Sequence, residues 1–342
     1  MAHRRVTIQD IADACGLSRN TVSKVFNNRG AVPETTKRIV LQKAQELGYY
    51  QLPESGMPAS VGQPRNIALL TGSDPRGHSF GSLVITSFTD QISRAGYNLK
   101  IFRVSEEEKA SHSLPPHLVL SETAGIIAIE LFDQDYCDML YAVGLPTVFI
   151  DSYASSGISL LKYDLVTMEN YTSTALLTRH LIRCGATCFG FVGDITHCLS
   201  FKERWTGYQS ALQKAGLSSV DACSILSEDS APYGDTDWLL AQLQTMPRIP
   251  DAFVCANDFL AIHLMTALKK MGLSIPNDVM VTGFDGSPES SMVEPALTTV
   301  QIPSMEVGRI AADILLNRIQ NPDRPSMRTY ISTVPLLRDS TR

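Results

Sequence analysis

The stretch from Val6 to Gly48, VTIQDIADACGLSRNTVSKVFNNRGAVPETTKRIVLQKAQELG, leaves the chain little choice in how it begins to fold. Apolar residues recur at Ile8, Ile11, Ala12, Val22, Val25 and Phe26, at helical spacing. Thr7 with Asp10 three residues on is a helix start of capping-box type, with Asp in place of the usual Glu or Gln. Gly16 ends this helix after Cys15, where a residue without a Cβ takes the left-handed conformation cheaply. Ser18 caps a second helix two residues later. Helices joined by so short a turn cross steeply, as in a helix-turn-helix. Pro33 stands near the first position of a third helix, and Gly48 stops it after Leu47.

Charge agrees with that pattern. The 342-residue chain has a net charge of −6. Residues 1–50 nevertheless hold eight Lys or Arg against four acids, about +4, which leaves about −10 for the rest. A basic head on an acidic body points to polyanion binding at one end. In a helix-turn-helix the second helix enters the major groove with its N-terminal residues against base edges. Ser18, Arg19, Asn20, Thr21, Ser23 and Lys24 are therefore the groove-facing candidates. Arg matches guanine O6 and N7 with two hydrogen bonds and Asn does the same for adenine, so Arg19 and Asn20 are the expected specificity residues. Lys24 reads as either a guanine or a phosphate contact. Thr7, Ser18, Thr21 and Asn27 read as phosphate or capping groups, which position without specifying. The bland alternative is a surface amphipathic helix with ordinary charges. TVSKVFN, the glycine turn and the basic bias together outweigh it.

The segment from Thr7 to Asn27 resembles the head of the LacI/GalR family of bacterial repressors almost residue for residue, and the likeness continues to Leu47, Gly48 and Tyr49. Residues 51–65, QLPESGMPASVGQPR, carry three Pro and two Gly and read as a linker. In the family this place holds a short helix ending in a Leu that wedges into the minor groove. Here no Leu falls at the expected place, Gly56 and Pro58 oppose a helix, and Met57 or Val61 is the available apolar wedge. The expectation is a weaker DNA bend than the family's and looser coupling between head and body.

From Asn66 onward short apolar runs alternate with helical stretches. Strand candidates are 67–70, 99–102, 125–129, 147–150, 188–192, 252–255 and 279–283. Helix candidates are 83–94, 136–143, 169–183, 201–215, 235–244, 259–271 and 306–318. Such alternation implies parallel sheets covered by helices on both faces, and this length suits two lobes. The body too resembles the LacI family, through Gly96-Tyr97, FIDSY at 149–153, a lone Asp164 where the family often has Asp-Asn, RWTGYQSAL at 204–212, the long motif at 255–286 and PALTTVQIPSMEVGRIAADILL at 295–316. The resemblance implies an α/β fold: an all-α helix-turn-helix head at 1–50, a hinge at 51–65, and a doubly wound body built like a periplasmic binding protein. Its lobes are expected at 66–162 with 296–325, and at 163–295 with 326–342.

In open α/β sheets, ligands bind outside the carboxyl ends of strands. Ser73 and Asp74, Asp194, Asn257 and Asp258, and Asp285 fall there. Matching the family implies Asp164, Arg204, Asn257 and Asp285 as hydrogen-bonding groups for a polyol or base, with Phe80 as an apolar platform; Ser73, from the end of the first strand, completes the expected effector residues. Carboxylates accept hydroxyl hydrogens and Arg donates to oxygens, which suits a sugar. The structural alternatives are that Asp258 caps the following helix, that Asp164 caps the helix near Glu169, and that Arg204 forms an interlobe salt bridge.

Seven cysteines lie scattered, and the closest pair, Cys184 and Cys188, has no His or further Cys at ligand spacing. No metal, no cofactor and no catalytic constellation is expected. No apolar run approaches the roughly 18 residues that cross a bilayer, and no signal peptide precedes the first helix, so a cytoplasmic, reduced setting is expected. The resemblance implies a homodimeric repressor that binds a near-palindromic double-stranded operator and answers to a small-molecule effector, a sugar in the first instance. Arg342 directly follows the family-like ending LLRDST at 336–341, so a dimer without a tetramerising heptad tail is expected. The rival reading is a sugar-binding or sugar-processing protein, in which Asp164 and Asp285 would serve as paired carboxylates.

Overall fold

A computed structural model describes residues 7–26, 32–46, 65–72, 79–154, 163–218 and 221–342. The chain separates into two compact units, Met1–Pro58 and Ala59–Arg342. In the first, α1 (Ile8–Cys15), α2 (Arg19–Phe26) and α3 (Glu34–Glu46) bury Ile11, Ala12, Val22 and Val40 in a small common core. The Thr7 side chain accepts from the Asp10 backbone N–H at 3.3 Å, while the Thr7 backbone N–H donates to the Asp10 carboxylate at 2.7 Å, a reciprocal capping box. Gly16 takes φ 64° and closes α1 in the left-handed conformation. Asn27 and the linker positions Gly56, Met57, Pro58 and Val61 lie outside the described residues.

The second unit opens with β1 (Asn66–Thr71), α4 (Ser79–Arg94), β2 (Asn98–Arg103), α5 (Glu106–Ser111), β3 (Thr123–Ile129), α6 (Gln134–Ala142), β4 (Thr147–Ile150) and β5 (Asp164–Met168). It continues through α7 (Tyr171–Arg183), β6 (Phe189–Val192), α8 (Leu199–Lys214), α9 (Thr236–Thr245), β7 (Ala252–Cys255), α10 (Asp258–Lys270), β8 (Met280–Thr282) and α11 (Pro288–Met292). It ends with β9 (Thr299–Gln301), α12 (Ser304–Gln320), β10 (Arg328–Ile331) and β11 (Val334–Leu336). Six strands form one parallel sheet in the order β10-β5-β4-β3-β1-β2. Three more form a second parallel sheet, β6-β7-β8, with β9 and β11 paired antiparallel beside it.

Parallel strands need cover on both faces, and the apolar runs supply it. One face of the first sheet packs on α4 and α12 through Val84, Phe88, Val307, Ala311 and Leu315. Gly308 lets these two helices meet, since a Cβ there would strike the Val84 carbonyl and the Ser87 hydroxyl. The opposite face is closed by Tyr136, Cys137 and Leu140 of α6. The second lobe has its own core around Phe189, Phe191, Tyr208, Phe253 and Leu264.

The chain passes between the lobes three times: after β5, between β9 and α12, and between β10 and β11. Two expected boundaries move. β5 falls in the expected second-lobe segment 163–295 and β10 in 326–342, yet the two pair in parallel at one edge of the first sheet. The reason is a buried ion pair: Asp164 at the start of β5 takes Arg318 from the end of α12 at 2.8 Å, which brings the following turn and β10 alongside. Conversely β9, within the expected first-lobe segment 296–325, pairs with β11 beside the second sheet.

Candidate effector cleft

The carboxyl ends of both sheets open into one cavity of about 580 Å³. Its first-lobe wall is made by Gly72 after β1, Phe80 on α4, Glu130 after β3, Asp151 after β4 and Met168 at the end of β5. Its second-lobe wall is made by Ser200, Phe201 and Arg204 on α8, Asn257 at the start of α10, and Asp285 after β8. Strand ends supply these positions because the backbone must leave the sheet there, which turns side chains outward above the core.

Arg204 is the centre of the site, with only 2 % of its surface exposed. Its Nε donates to Asn170 Oδ1 at 3.0 Å, and Nη1 donates to the Ala256 carbonyl at 2.6 Å. The same Nη1 stands 3.6 Å from Asp285 Oδ1. The guanidinium also lies over the Phe284 ring, 3.7 Å from its centre. Asn170 is itself fully buried, and its Nδ2 donates to the Met168 carbonyl at 2.8 Å and to Glu203 Oε2 at 2.9 Å. Glu203 in turn accepts from the Tyr330 hydroxyl on β10 at 2.8 Å. Arg can only donate and a carboxylate can only accept, so the orientation of the Asn170 amide is settled by its neighbours. One hydrogen-bonded chain therefore runs from the cleft to the outer strand of the first lobe.

Asp285 holds its carboxyl at a backbone φ of 120°. Burial, with the Asp258 and Glu130 carboxylates nearby, pushes its pKa well above the usual range against the pull of Arg204. Asp151, at φ 60°, accepts from the Ser152 and Ser200 backbone N–H groups at 2.8 and 3.2 Å, and from the Ser200 hydroxyl at 2.6 Å. The N-cap residue of α8, Cys198, makes no side-chain cap, and Asp151 from the first lobe takes that role across the cleft. Burial raises the Asp151 carboxyl as well.

Of the expected effector residues, Phe80, Arg204, Asn257 and Asp285 line this cavity together. Ser73 and Asp74 lie outside the described residues. Asp164 does not belong to the cleft. It starts β5 at the amino end, and its carboxylate is taken by Arg318 Nε and Nη2 at 2.8 and 3.0 Å and by the Met327 N–H at 2.8 Å. An acid–Asn pair, Glu169–Asn170, stands just past the other end of the same strand. Asp258 does not cap α10. Asn257 does, accepting the Leu260 N–H at 2.9 Å, while Asp258 is buried against the Ser287 N–H and the Thr299 hydroxyl. Sequence reasoning misses Glu130 and Asp151, although each directly follows a buried apolar run, the signal that finds Asp285, and it misses Asn170, which stands two residues past the end of β5.

His197 lies between Phe132 and Phe201, edge-on to both rings at 5.4 and 5.0 Å. In the head, Ser18, Arg19, Asn20 and Lys24 are exposed on and beside the second helix, with Thr21 and Ser23 half-buried; the Ser18 hydroxyl accepts the Thr21 N–H at 3.1 Å as the helix cap. Among the described residues no group of three His, Cys, Asp or Glu is placed to hold a metal, and no helix is long and apolar enough to cross a membrane.

Comparison with known families and structures agrees with this architecture. Residues 7–51 match the family described as bacterial regulatory proteins, lacI family, and residues 178–341 match the periplasmic binding protein-like domain. An HTH-type transcriptional repressor PurR of Haemophilus influenzae (strain PittEE) is 26 % identical over 321 residues, 93 % of this chain and 92 % of the relative. The transcriptional regulator CelR in a cellobiose complex superposes with a TM-score of 0.71 at 23 % identity, covering 98 % of this chain and 100 % of the other. A lac repressor dimer bound to operator and the anti-inducer ONPF superposes with a TM-score of 0.70 at 23 % identity, covering 99 % of each.

Proposed function

The chain belongs to the LacI family of bacterial regulatory proteins, a DNA-binding repressor with a ligand-binding body and not an enzyme, and on that premise we propose that a sugar held between its lobes controls its grip on DNA. The observation that carries the proposal is the interlobe cavity, with Arg204 and Asp285 from one side and Glu130 and Phe80 from the other. The cellobiose bound by CelR favours a sugar over a purine base as first choice. Ser18, Arg19, Asn20, Thr21, Ser23 and Lys24 are the proposed groove contacts, with Arg19 and Asn20 reading bases and Thr7 and Asn27 positioning the backbone. Two copies act as a homodimer in the cytoplasm on a near-palindromic operator, since paired heads on one duplex impose their own two-fold symmetry on the site. Sugar changes the angle between the lobes and hence the spacing of the paired heads. Such couplings are worth about 1–3 kcal/mol.

The test is selection of bound duplexes from a random library by the full chain, with and without a mixture of sugars and purines, at two salt concentrations. A near-palindrome whose capture changes with the mixture supports the proposal. Capture without sequence preference and with a steep salt slope means that only phosphates are read, and overturns it.

A further inference from the structure

Resting on the reading of this cavity as the effector site, we propose that Tyr330, on the outer strand of the first lobe, is a positioning residue for Arg204, which it holds through Glu203 and Asn170. None of Tyr330, Glu203 and Asn170 lines the cavity, whereas Arg204 does.

Glu203 and Arg204 are neighbours on α8, about 100° apart around the helix, so Arg204 reaches the cleft while Glu203 reaches β10 of the first lobe. Asn170, just past β5 where the chain first crosses between the lobes, joins them. Three contacts fix the plane of the guanidinium: Nε on Asn170 Oδ1, Nη1 on the Ala256 carbonyl, and the face of Phe284. That plane sets the direction of every remaining N–H. An Asn amide turns over at little steric cost, because its oxygen and its NH2 have nearly the same shape. Turned over here, it would set its oxygen against the Met168 carbonyl and the Glu203 carboxylate, and its NH2 against the guanidinium. The orientation that serves Arg204 therefore depends on Glu203 remaining an acceptor, and in place.

Tyr330 secures both conditions. Its hydroxyl donates to Glu203 Oε1 at 2.8 Å, while Asn170 uses the other oxygen, Oε2, at 2.9 Å. Held at both oxygens, the carboxylate cannot swing away from Asn170 without breaking a bond to the first lobe. Burial pushes the Glu203 carboxyl up toward its protonated form, and the hydrogen bonds from Asn170 and Tyr330 pull it back. Loss of the Tyr330 hydroxyl frees one oxygen and weakens the charge, and the Asn170 amide loses part of what orients it. The Tyr330 residue is itself 47 % exposed, so removing its hydroxyl leaves the core untouched. Tyr141, on α6 of the same lobe, is exposed to the same degree and serves as the matched control.

The test is the exchange of the Arg204 Nε–H with solvent, followed by NMR on the full chain with nitrogen-labelled arginine and no ligand, the signal being assigned by its absence from Arg204→Lys. Tyr330→Phe is expected to speed that exchange about tenfold, and Tyr141→Phe to leave it unchanged. In a Glu203→Ala background Tyr330→Phe is expected to add nothing, since the route is already cut. Calorimetry with cellobiose, ribose and adenine reads the consequence. Any of these that binds wild type is expected to bind Tyr330→Phe about threefold to tenfold more weakly, with an unfolding midpoint no lower than that of Tyr141→Phe. An Arg204 signal that exchanges as slowly in Tyr330→Phe as in wild type overturns the positioning role, as does a probe held equally by both. A faster signal with none of the three probes bound supports the positioning role and counts against the effector reading alone.

Discussion

Arg204 concentrates the chemistry of the cleft, because a guanidinium so deeply buried survives only with its donor directions answered. Arg204→Lys keeps the charge but cannot reach Asn170 Oδ1 and the Ala256 carbonyl together. It is expected to lower stability by about 1–3 kcal/mol in urea unfolding and to abolish the effector response. An unchanged midpoint would show that the fork holds nothing. Asp164 supplies the contrast. Asp164→Ala leaves Arg318 with only the Pro322, Arg324 and Pro325 carbonyls and the Met327 N–H without its acceptor, and is expected to cost about 1–3 kcal/mol of stability, while effector affinity measured on the remaining folded protein stays within about threefold. A selective loss of affinity would return Asp164 to the cleft. For Asp285 the sign of the pH effect follows from its raised carboxyl. Between the unfolded value, about 4, and the higher folded one, the unfolded chain binds fewer protons, so this group's contribution to stability declines as pH rises through that window. Melting curves of Asp285→Asn should therefore fall less steeply than wild type from pH 4 upward; parallel curves would contradict the assignment.

At the scale of elements, the head was legible almost entirely. Capping box, glycine turn and apolar spacing are all local signals, and Thr7, Asp10, Gly16 and Ser18 take the predicted parts. Strands β1, β3, β4 and β7 were legible for the same reason, as short apolar runs with defined ends. β5 was not, because it opens on a buried acid whose partner, Arg318, lies 154 residues away. β9 and β11, three residues each, carry too little pattern to show a period and exist through pairing with each other. That hidden strand is why Asp164, at its amino end, reads from sequence as a cleft residue while Asn170, just past its carboxyl end, does not. Close packing between helices was equally invisible. Gly207 of α8 sits where a Cβ would strike the Tyr171 carbonyl of α7. Gly207→Ala is expected to push α7 and α8 apart, lowering the unfolding midpoint by about 1–3 kcal/mol equivalent. A neutral substitution would mean that this seam yields freely.

At the scale of the whole molecule, a basic helix-turn-helix unit and an acidic two-lobed body share one chain, and the proposed function makes the cleft of one govern the DNA affinity of the other. The lobes are tied at three crossings, and the chain from Arg204 through Asn170 and Glu203 to Tyr330 spans the first of them. In the proposed function, a ligand that engages Arg204 acts on the lobe angle through this chain. Coupling between two sites is reciprocal, so it can be measured from either end. The most direct measurement is a closed cycle on the full chain: operator affinity with and without the bound sugar, and sugar affinity with and without operator. Two equal ratios between about 5 and 150 are expected, in the same direction, collapsing to unity in Arg204→Lys. A sugar that binds saturably in the cleft while operator affinity stays unchanged would contradict it.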